Sequence, residues 1–449
     1  MMPEKEKSMP DARSVVLRAL MRVEAGGYSN LVLGGAIDTA KLGRRDGAFA
    51  AALFYGVIER KLTLDYIIKG HSRLPLDKLD KAVLCILRMG LYQLLYMHSV
   101  PESAAVNESV LLCKKNGKAS ASGFVNAVLR TFIREGKRVT LPDKKDAALR
   151  LSVEFSCPQP LVRLFIGRFG AAHAKAILER SVGTPPLYAR VNTTKTTVAQ
   201  LVALLGQEGV EAAAHEVIPG CISLHHTGDL EQLSAFKDGL FHIQDGASQL
   251  CALALGAGPG MAVLDLCAAP GGKSFTVAEQ MQGSGSVLSF DLYDFKAELI
   301  QKGAQRLGLS VIRARTGDAA VYNPELPLAD RVLCDVPCSG FGILRRKPEI
   351  KYKPLDSFDG LREIQLAILQ NGSRYVKTGG VLVYSTCTLR HEENEEIADA
   401  FLKQNPAFAP LPLPEMFIPC QSGQPHMVTI LPHIFDTDGF FIAAFIKQK

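Results

Sequence analysis

Val263-Leu264-Asp265-Leu266-Cys267-Ala268-Ala269-Pro270-Gly271-Gly272-Lys273-Ser274 decides how the carboxyl-terminal half of this chain folds. Residues 262–266 read as a buried strand, 267–274 as a loop of small residues, and 275–281 as the helix that follows. Small residues let a backbone approach a ligand closely, and the free N–H groups that open a helix favour an anionic or polar one. Two ligand classes compete for such a loop. A phosphate-binding loop requires GxxxxGK[ST]; Gly272-Lys273-Ser274 matches its end, but Cys267 stands where its first glycine belongs. A nucleoside cofactor instead needs an acid at the tip of the next strand to accept both ribose hydroxyls. Asp291 stands there, directly after the apolar residues 287–290, so the nucleoside reading is favoured. A further acid, Asp318, follows the strand-like residues 311–314. It is either the partner of an adenine amino group or an ordinary turn residue.

Outward from this loop the pattern repeats. Short apolar strands at 287–290, 331–334 and 381–384 alternate with helical stretches, which predicts βαβ units and a doubly wound, mostly parallel sheet over residues 236–449. Residues 12–134 show apolar positions at helical spacing, such as Val15, Leu17, Leu20 and Val23, then Leu84, Leu87, Leu91 and Leu95, which predicts an all-helical bundle over 1–140. Around 135–150 the chain turns polar and charged, as a linker does. A small α+β module, with a strand at Leu187–Val191 and a turn at Ile218-Pro219-Gly220, completes a three-part chain over 141–235.

Composition agrees. With 449 residues, 47% hydrophobic and 21% charged, the chain has ample core and is not a disordered, collagenous or coiled-coil sequence. The opening MMPEKEKSMP is charged and no apolar run is long enough to span a bilayer, so a protein of the cytoplasm with no membrane partner is expected. The net charge of +6 is unevenly spread: residues 1–150 carry +10 and the remainder −4. A basic first third fits a polyanionic partner such as nucleic acid, and equally a solvated basic surface.

Ligands of an open α/β sheet bind beyond the carboxyl ends of its strands. Two such positions hold cysteine: Asp335-Val336-Pro337-Cys338-Ser339-Gly340 and Tyr384-Ser385-Thr386-Cys387-Thr388. Cys85, Cys113, Cys251 and Cys334 lie in apolar runs and read as core, whereas Cys338 and Cys387 sit in turns of small polar residues. Neither CxxC nor paired histidines accompany them, so no metal is expected. A nucleoside cofactor beside thiols points to one problem in chemistry. Carbon 5 of cytosine is a poor nucleophile, but a thiolate adding to carbon 6 turns the ring into an enamine that can attack an activated methyl group. S-adenosylmethionine would supply that methyl.

The residues also carry a resemblance. CAAPGGKS, DVPCSGFGILRRKPEIKY and YSTCTLRHEENEE, in that order, resemble the signatures of the Nol1/Nop2/Sun family of RNA cytosine-C5 methyltransferases. RRDGAFAAALFYGVIER, SVPESAAVNESVLLCKK and FVNAVLR resemble a NusB-like RNA-binding domain, and TDGFFIAAFIKQK resembles the family's closing strand. The combination covers nearly the whole chain and is similar to bacterial family members that modify small-subunit (16S) ribosomal RNA. The resemblance implies that Cys267, Ala268, Ala269, Pro270, Gly271, Gly272 and Lys273 wrap S-adenosylmethionine. It further implies that Asp291 holds the ribose, that Asp318 lies on the adenine side, and that Asp335 sits between cofactor and target base. Cys387 would be the nucleophile and Cys338 would assist release; spacing alone does not decide which thiol attacks. RNA, free or in an early small-subunit particle, would be the partner of a monomer. Tyr352 replaces a frequent tryptophan, and Ser156-Cys157-Pro158 a common Ser-His-Pro.

Two other runs have alternative readings. Arg345, Arg346, Lys347, Lys351 and Lys353 suit the phosphates of a bound strand or a solvated loop. Glu392, Glu393, Glu395 and Glu396 open a helix whose positive end they would stabilise. The competing functions are an NTPase, disfavoured by Cys267, and a non-catalytic RNA-binding or ribosome-assembly factor. A degenerate module of the latter kind should have lost Asp291 or one of the two cysteines, and it has lost none.

Overall fold

The computed structural model describes residues 11–24, 29–420 and 423–448; the charged opening segment lies outside the described residues. The chain divides into two units, Met1–Val182 and Gly183–Lys449. Among the described residues no helix is long and apolar enough to cross a membrane.

The first unit is helical, as its periodicity predicts, from Ala12–Glu24 through Ser122–Arg134. Val15, Leu17, Leu20, Leu87 and Leu91 are buried, because i, i+3 and i+4 spacing places them on one face of their helices. Arg88 is buried among them and is satisfied by Asp65 at 2.6 and 2.8 Å and Glu24 at 2.9 Å.

Past the polar stretch at 135–146 the chain is not yet the α+β module. Ala147–Phe155 and Gln159–Arg180 are helices that belong to the first unit. Thr63 Oγ1 donates to the Val153 carbonyl at 2.6 Å, and the Leu62 N–H donates to Ser156 Oγ at 2.9 Å. Ser156, with φ 53°, and Cys157 are both fully buried.

The second unit opens with a four-stranded antiparallel sheet. Its strands are β1 (Leu187–Val191), β2 (Glu211–Ala214), β3 (Cys221–His225) and β4 (Phe241–Ile243), in the order β2-β3-β1-β4. Eight strands then form the larger sheet: β5 (Ala262–Asp265), β6 (Ser286–Asp291), β7 (Ile312–Thr316), β8 (Ala329–Asp335), β9 (Val376–Thr386), β10 (Phe408–Pro410), β11 (Met427–Ile430) and β12 (Phe440–Lys447). Their order is β10-β12-β9-β8-β5-β6-β7, with β11 also paired to β12. β7, β6, β5, β8 and β9 run parallel, and β12 is antiparallel to β9. From β5 the chain winds outward through β6 and β7, then returns to the other side of β5 as β8. The crevice beyond β5 and β8 is therefore the topological switch point, where such sheets bind ligands. Apolar layers cover both faces, with Leu264, Val332, Leu382 and Phe441 in one and Val263, Leu333, Val383 and Ile442 in the other, as alternation along each strand requires. Arg190 of β1 fixes the small sheet to the large one: its Nε lies 3.0 Å from Glu279 Oε2 on the buried face of the helix Gly272–Gln280.

Candidate active site

The loop after β5 is built on two backbone contacts. The Ala268 N–H donates to the Phe290 carbonyl of β6 and the Gly271 N–H to the Ala268 carbonyl, both at 2.7 Å. Gly271 has φ +109°, and a Cβ there would come within 2.4 Å of the Phe275 ring, so this position admits only glycine. The helix Gly272–Gln280 starts immediately afterwards. Asp265 lies beneath the loop, fully buried, its Oδ2 accepting from Ser274 Oγ at 2.7 Å. Burial pushes its pKa up to about 7 against the pull of Ser274.

At the end of β6, Asp291 accepts from the Tyr293 N–H and lies 3.2 Å from Lys296. Beyond β7, the exposed Asp318 lines a cavity of about 250 Å³ with Leu266, Phe290, Gly317, Val321 and Tyr375. These are a glycine cradle, a helix start, a carboxylate at a strand tip and a small apolar cavity. That donor and acceptor set fits S-adenosylmethionine, whose methionine end is charged, whose ribose has two hydroxyls and whose adenine is flat and apolar.

The side chains of two residues of this loop also have partners within the protein. Cys267 packs against the buried side chains of the sheet, and burial holds its thiol well above the usual range. Lys273 turns across the switch point, its Nζ 2.7 Å from Asp335 Oδ2 at the end of β8. Burial alone would lower its pKa, but Asp335 outweighs that and raises it. The second oxygen of Asp335 accepts from Ser385 Oγ of β9 at 2.8 Å.

Past the ends of β8 and β9 the two turn cysteines meet. Cys338 Sγ and Cys387 Sγ are 3.1 Å apart as free thiols, and the Cys387 N–H points at Cys338 Sγ at 3.3 Å. The hydrogen bond with Cys387, then burial, keeps the Cys338 thiol protonated well above its ordinary range. The four cysteines read as core are buried; burial pushes Cys85 up to about 11 and Cys251 to about 12, and also raises Cys113 and Cys334.

The remaining runs follow expectation in part: Glu395 and Glu396 do stand in the first turn of a helix. Arg346 is bound internally, to Asp438 at 2.8 Å and Asp245 at 2.9 Å, and Arg345 faces Asp436 at 3.5 Å. Lys351 is buried, its Nζ over the Tyr352 ring, so only Lys347 and Lys353 of that loop are exposed. In the acidic run the helix begins at Glu395, while Glu393 precedes it in a 3-10 turn, is fully buried and accepts from the Ser339 N–H at 2.9 Å. Its partner Gln365, also fully buried, carried no signal in the sequence.

Known proteins match this architecture in three segments. Residues 10–134 match the NusB family, 157–231 a ferredoxin-like domain of RsmF/B-like methyltransferases, and 252–446 the 16S rRNA methyltransferase RsmB/F model. A probable ribosomal RNA small subunit methyltransferase B of Bacillus subtilis is 39% identical over 97% of this chain and 98% of its own. The ribosomal RNA small subunit methyltransferase B of Pseudomonas putida is 32% identical over 97% and 98%. The fold is that of the crystal structure of PH0851, with a TM-score of 0.78 and 24% identity over 99% of this chain and 100% of that one. The chain belongs to the ribosomal RNA small subunit methyltransferase B family and is an S-adenosylmethionine-dependent methyltransferase.

Proposed function

We propose that this enzyme methylates carbon 5 of a cytosine in 16S ribosomal RNA through a covalent adduct between Cys387 and carbon 6. The observation that carries the reading is the pair of sulfurs 3.1 Å apart beyond β8 and β9, beside the Lys273–Asp335 ion pair. Cys338 keeps its proton because of its contact with Cys387 and its burial, so it suits the proton-handling role, and Cys387, in the Thr-Cys turn, takes the part of the nucleophile. The Cys387 thiolate adds to carbon 6, and the ring's electrons collect at carbon 5. The 267–273 loop, Asp291 and Asp318 would hold S-adenosylmethionine, which would supply the electrophilic methyl group for that carbon and leave as S-adenosylhomocysteine. Asp335, fixed by Lys273 and Ser385, is available to hold the polar edge of the base. Release needs the carbon-5 proton to leave and the sulfur–carbon bond to break. The proton passes to Cys338 while the proton of Cys338 passes to the departing Cys387 sulfur, and the C–H electrons re-form the ring double bond. Losing one proton to water restores the thiolate.

A base reached in this way must be turned out of any stack, at a cost of a few kcal/mol, so contacts elsewhere must hold the RNA. The +10 charge of residues 1–150 suits that task, and we assign RNA holding to this helical, NusB-like part, with 236–449 as catalytic domain and the small α+β module between. The nucleophile, the second thiol and the cofactor acids all come from one chain, so a monomer suffices. Such an enzyme works in the cytoplasm on free rRNA or an early small-subunit particle.

The test is a pair of variants of the purified enzyme. Cys387→Ser abolishes methyl transfer to a 16S transcript while binding S-adenosylmethionine normally, because a hydroxyl does not ionise as a thiol does. Cys338→Ala instead accumulates an RNA–protein adduct that survives a denaturing gel. Turnover by Cys387→Ser near that of the parent sinks the assignment.

A further inference from the structure

The release step depends on two sulfurs keeping their separation, and the turn carrying one of them is held by a residue that the chemistry above does not use. Glu393 Oε2 accepts from the Ser339 N–H at 2.9 Å and from Gln365 Nε2 at 2.9 Å, and the same Gln365 nitrogen donates to the Pro337 carbonyl at 3.0 Å. The peptide on both sides of Cys338 is thus tied to one carboxyl group. Glu393 is also anchored to the other cysteine's strand, since the hydroxyl of Tyr384 in β9 donates to its main-chain carbonyl at 2.6 Å. A helix-dipole role does not account for it: the side chain is fully buried and faces the Pro-Cys turn, with Arg390 Nε 3.7 Å from its other oxygen. Burying a carboxyl group is costly unless its acceptor capacity is used; here Oε2 is spent on the turn that carries Cys338, and Oε1 has only the Arg390 charge at 3.7 Å and no hydrogen bond.

We propose that Glu393 is a positioning residue for product release, fixing the Pro337-Cys338-Ser339 turn so that Cys338 Sγ stays within proton-transfer reach of Cys387 Sγ. The inference rests on the roles assigned above to the two cysteines. Without Glu393 the turn loses its anchor, attack by Cys387 and methylation still occur, and the proton relay that breaks the Cys387–carbon 6 bond slows. A misplacement of about 1 Å in such a relay costs on the order of a hundredfold.

The experiment incubates full-length Glu393→Ala, Glu393→Gln, Cys338→Ala and parent enzyme with S-adenosylmethionine and a 16S transcript. Turnover, the covalent band on a denaturing gel, cofactor affinity and melting temperature are read for each. Glu393→Ala should lose roughly ten- to a hundredfold in kcat, keep its cofactor affinity and accumulate the adduct, as Cys338→Ala does. Glu393→Gln retains an oxygen to accept from Ser339 and should recover most of the turnover and lose most of the band. A purely structural residue would lower the melting temperature without producing adduct. A band with Cys338→Ala but none with Glu393→Ala overturns the inference; no band with either removes the Cys338 assignment and the inference with it. Should Glu393→Ala not fold, Glu393→Asp, one methylene too short to keep both contacts, carries the same outcomes.

Discussion

The two halves of the sheet's carboxyl edge are built by different rules. On the cofactor side, beyond β5, β6 and β7, the loop is shaped by main-chain contacts and small residues, Asp291 is buried at its strand tip and Asp318 is exposed. On the reaction side, beyond β8 and β9, each turn is cross-braced. Ser339 Oγ meets Thr388 Oγ1 at 2.7 Å, the Gly342 N–H donates to the Cys387 carbonyl at 2.9 Å, and the Gly439 N–H donates to the Gly342 carbonyl at 2.9 Å. Glu393 and Gln365 add the side-chain clamp. A cofactor held by many contacts tolerates some give in each, but a proton relay between two sulfurs does not, so bracing concentrates where the bonds change.

The contrast can be broken at several points. The largest effect is expected on the cofactor side from Asp291→Ala, which removes a charged acceptor. S-adenosylmethionine affinity should fall about ten- to a hundredfold by calorimetry, corresponding to about 1.5–3 kcal/mol, and an unchanged Kd would remove Asp291 from the binding set. On the reaction side, Gly342→Ala would place a Cβ 1.9 Å from the Gly439 carbonyl oxygen and 2.8 Å from that of Cys387. Backbone on both sides leaves no room to give, and a stability loss of about 1–3 kcal/mol in chemical denaturation is expected, with cofactor affinity preserved. A harmless Gly342→Ala would mean that the bracing is looser than drawn.

The smallest effect concerns pH. The folded pKa of Asp265, about 7, lies above its ordinary value of 3.8, so the folded state holds that proton more tightly than the unfolded chain. Its stabilising contribution is complete below about pH 4 and is lost as pH rises through 7. Between pH 6 and 8 the parent should lose on the order of 1 kcal/mol through this group, and Asp265→Asn should not show that part of the loss. Identical pH profiles would place the carboxyl in a more polar setting beneath the loop.

The parallel sheet, the helical first unit, the glycine loop, the strand-tip acids and the two exceptional cysteines were all legible in the sequence. Each is a local pattern, of period 2 or 3.6, or of a residue type directly after a strand. The internal pairing of the basic loop and the burial of Glu393 were not legible, because charge along the chain does not say where a side chain points: Arg346 is neutralised by Asp245 and Asp438, which lie far from it in sequence. In the same way, the helices Ala147–Phe155 and Gln159–Arg180 join the first unit through Thr63 and Ser156, contacts invisible to local pattern. The sequence by itself determined where the central parallel strands lie and which few residues stand at their ends. Only the tertiary structure decided that Lys273 crosses to Asp335, that Cys338 meets Cys387 and that Glu393 holds the turn between them. Those pairings arise when β8 returns to the far side of β5, and a contact created by strand order leaves no periodic trace along the chain.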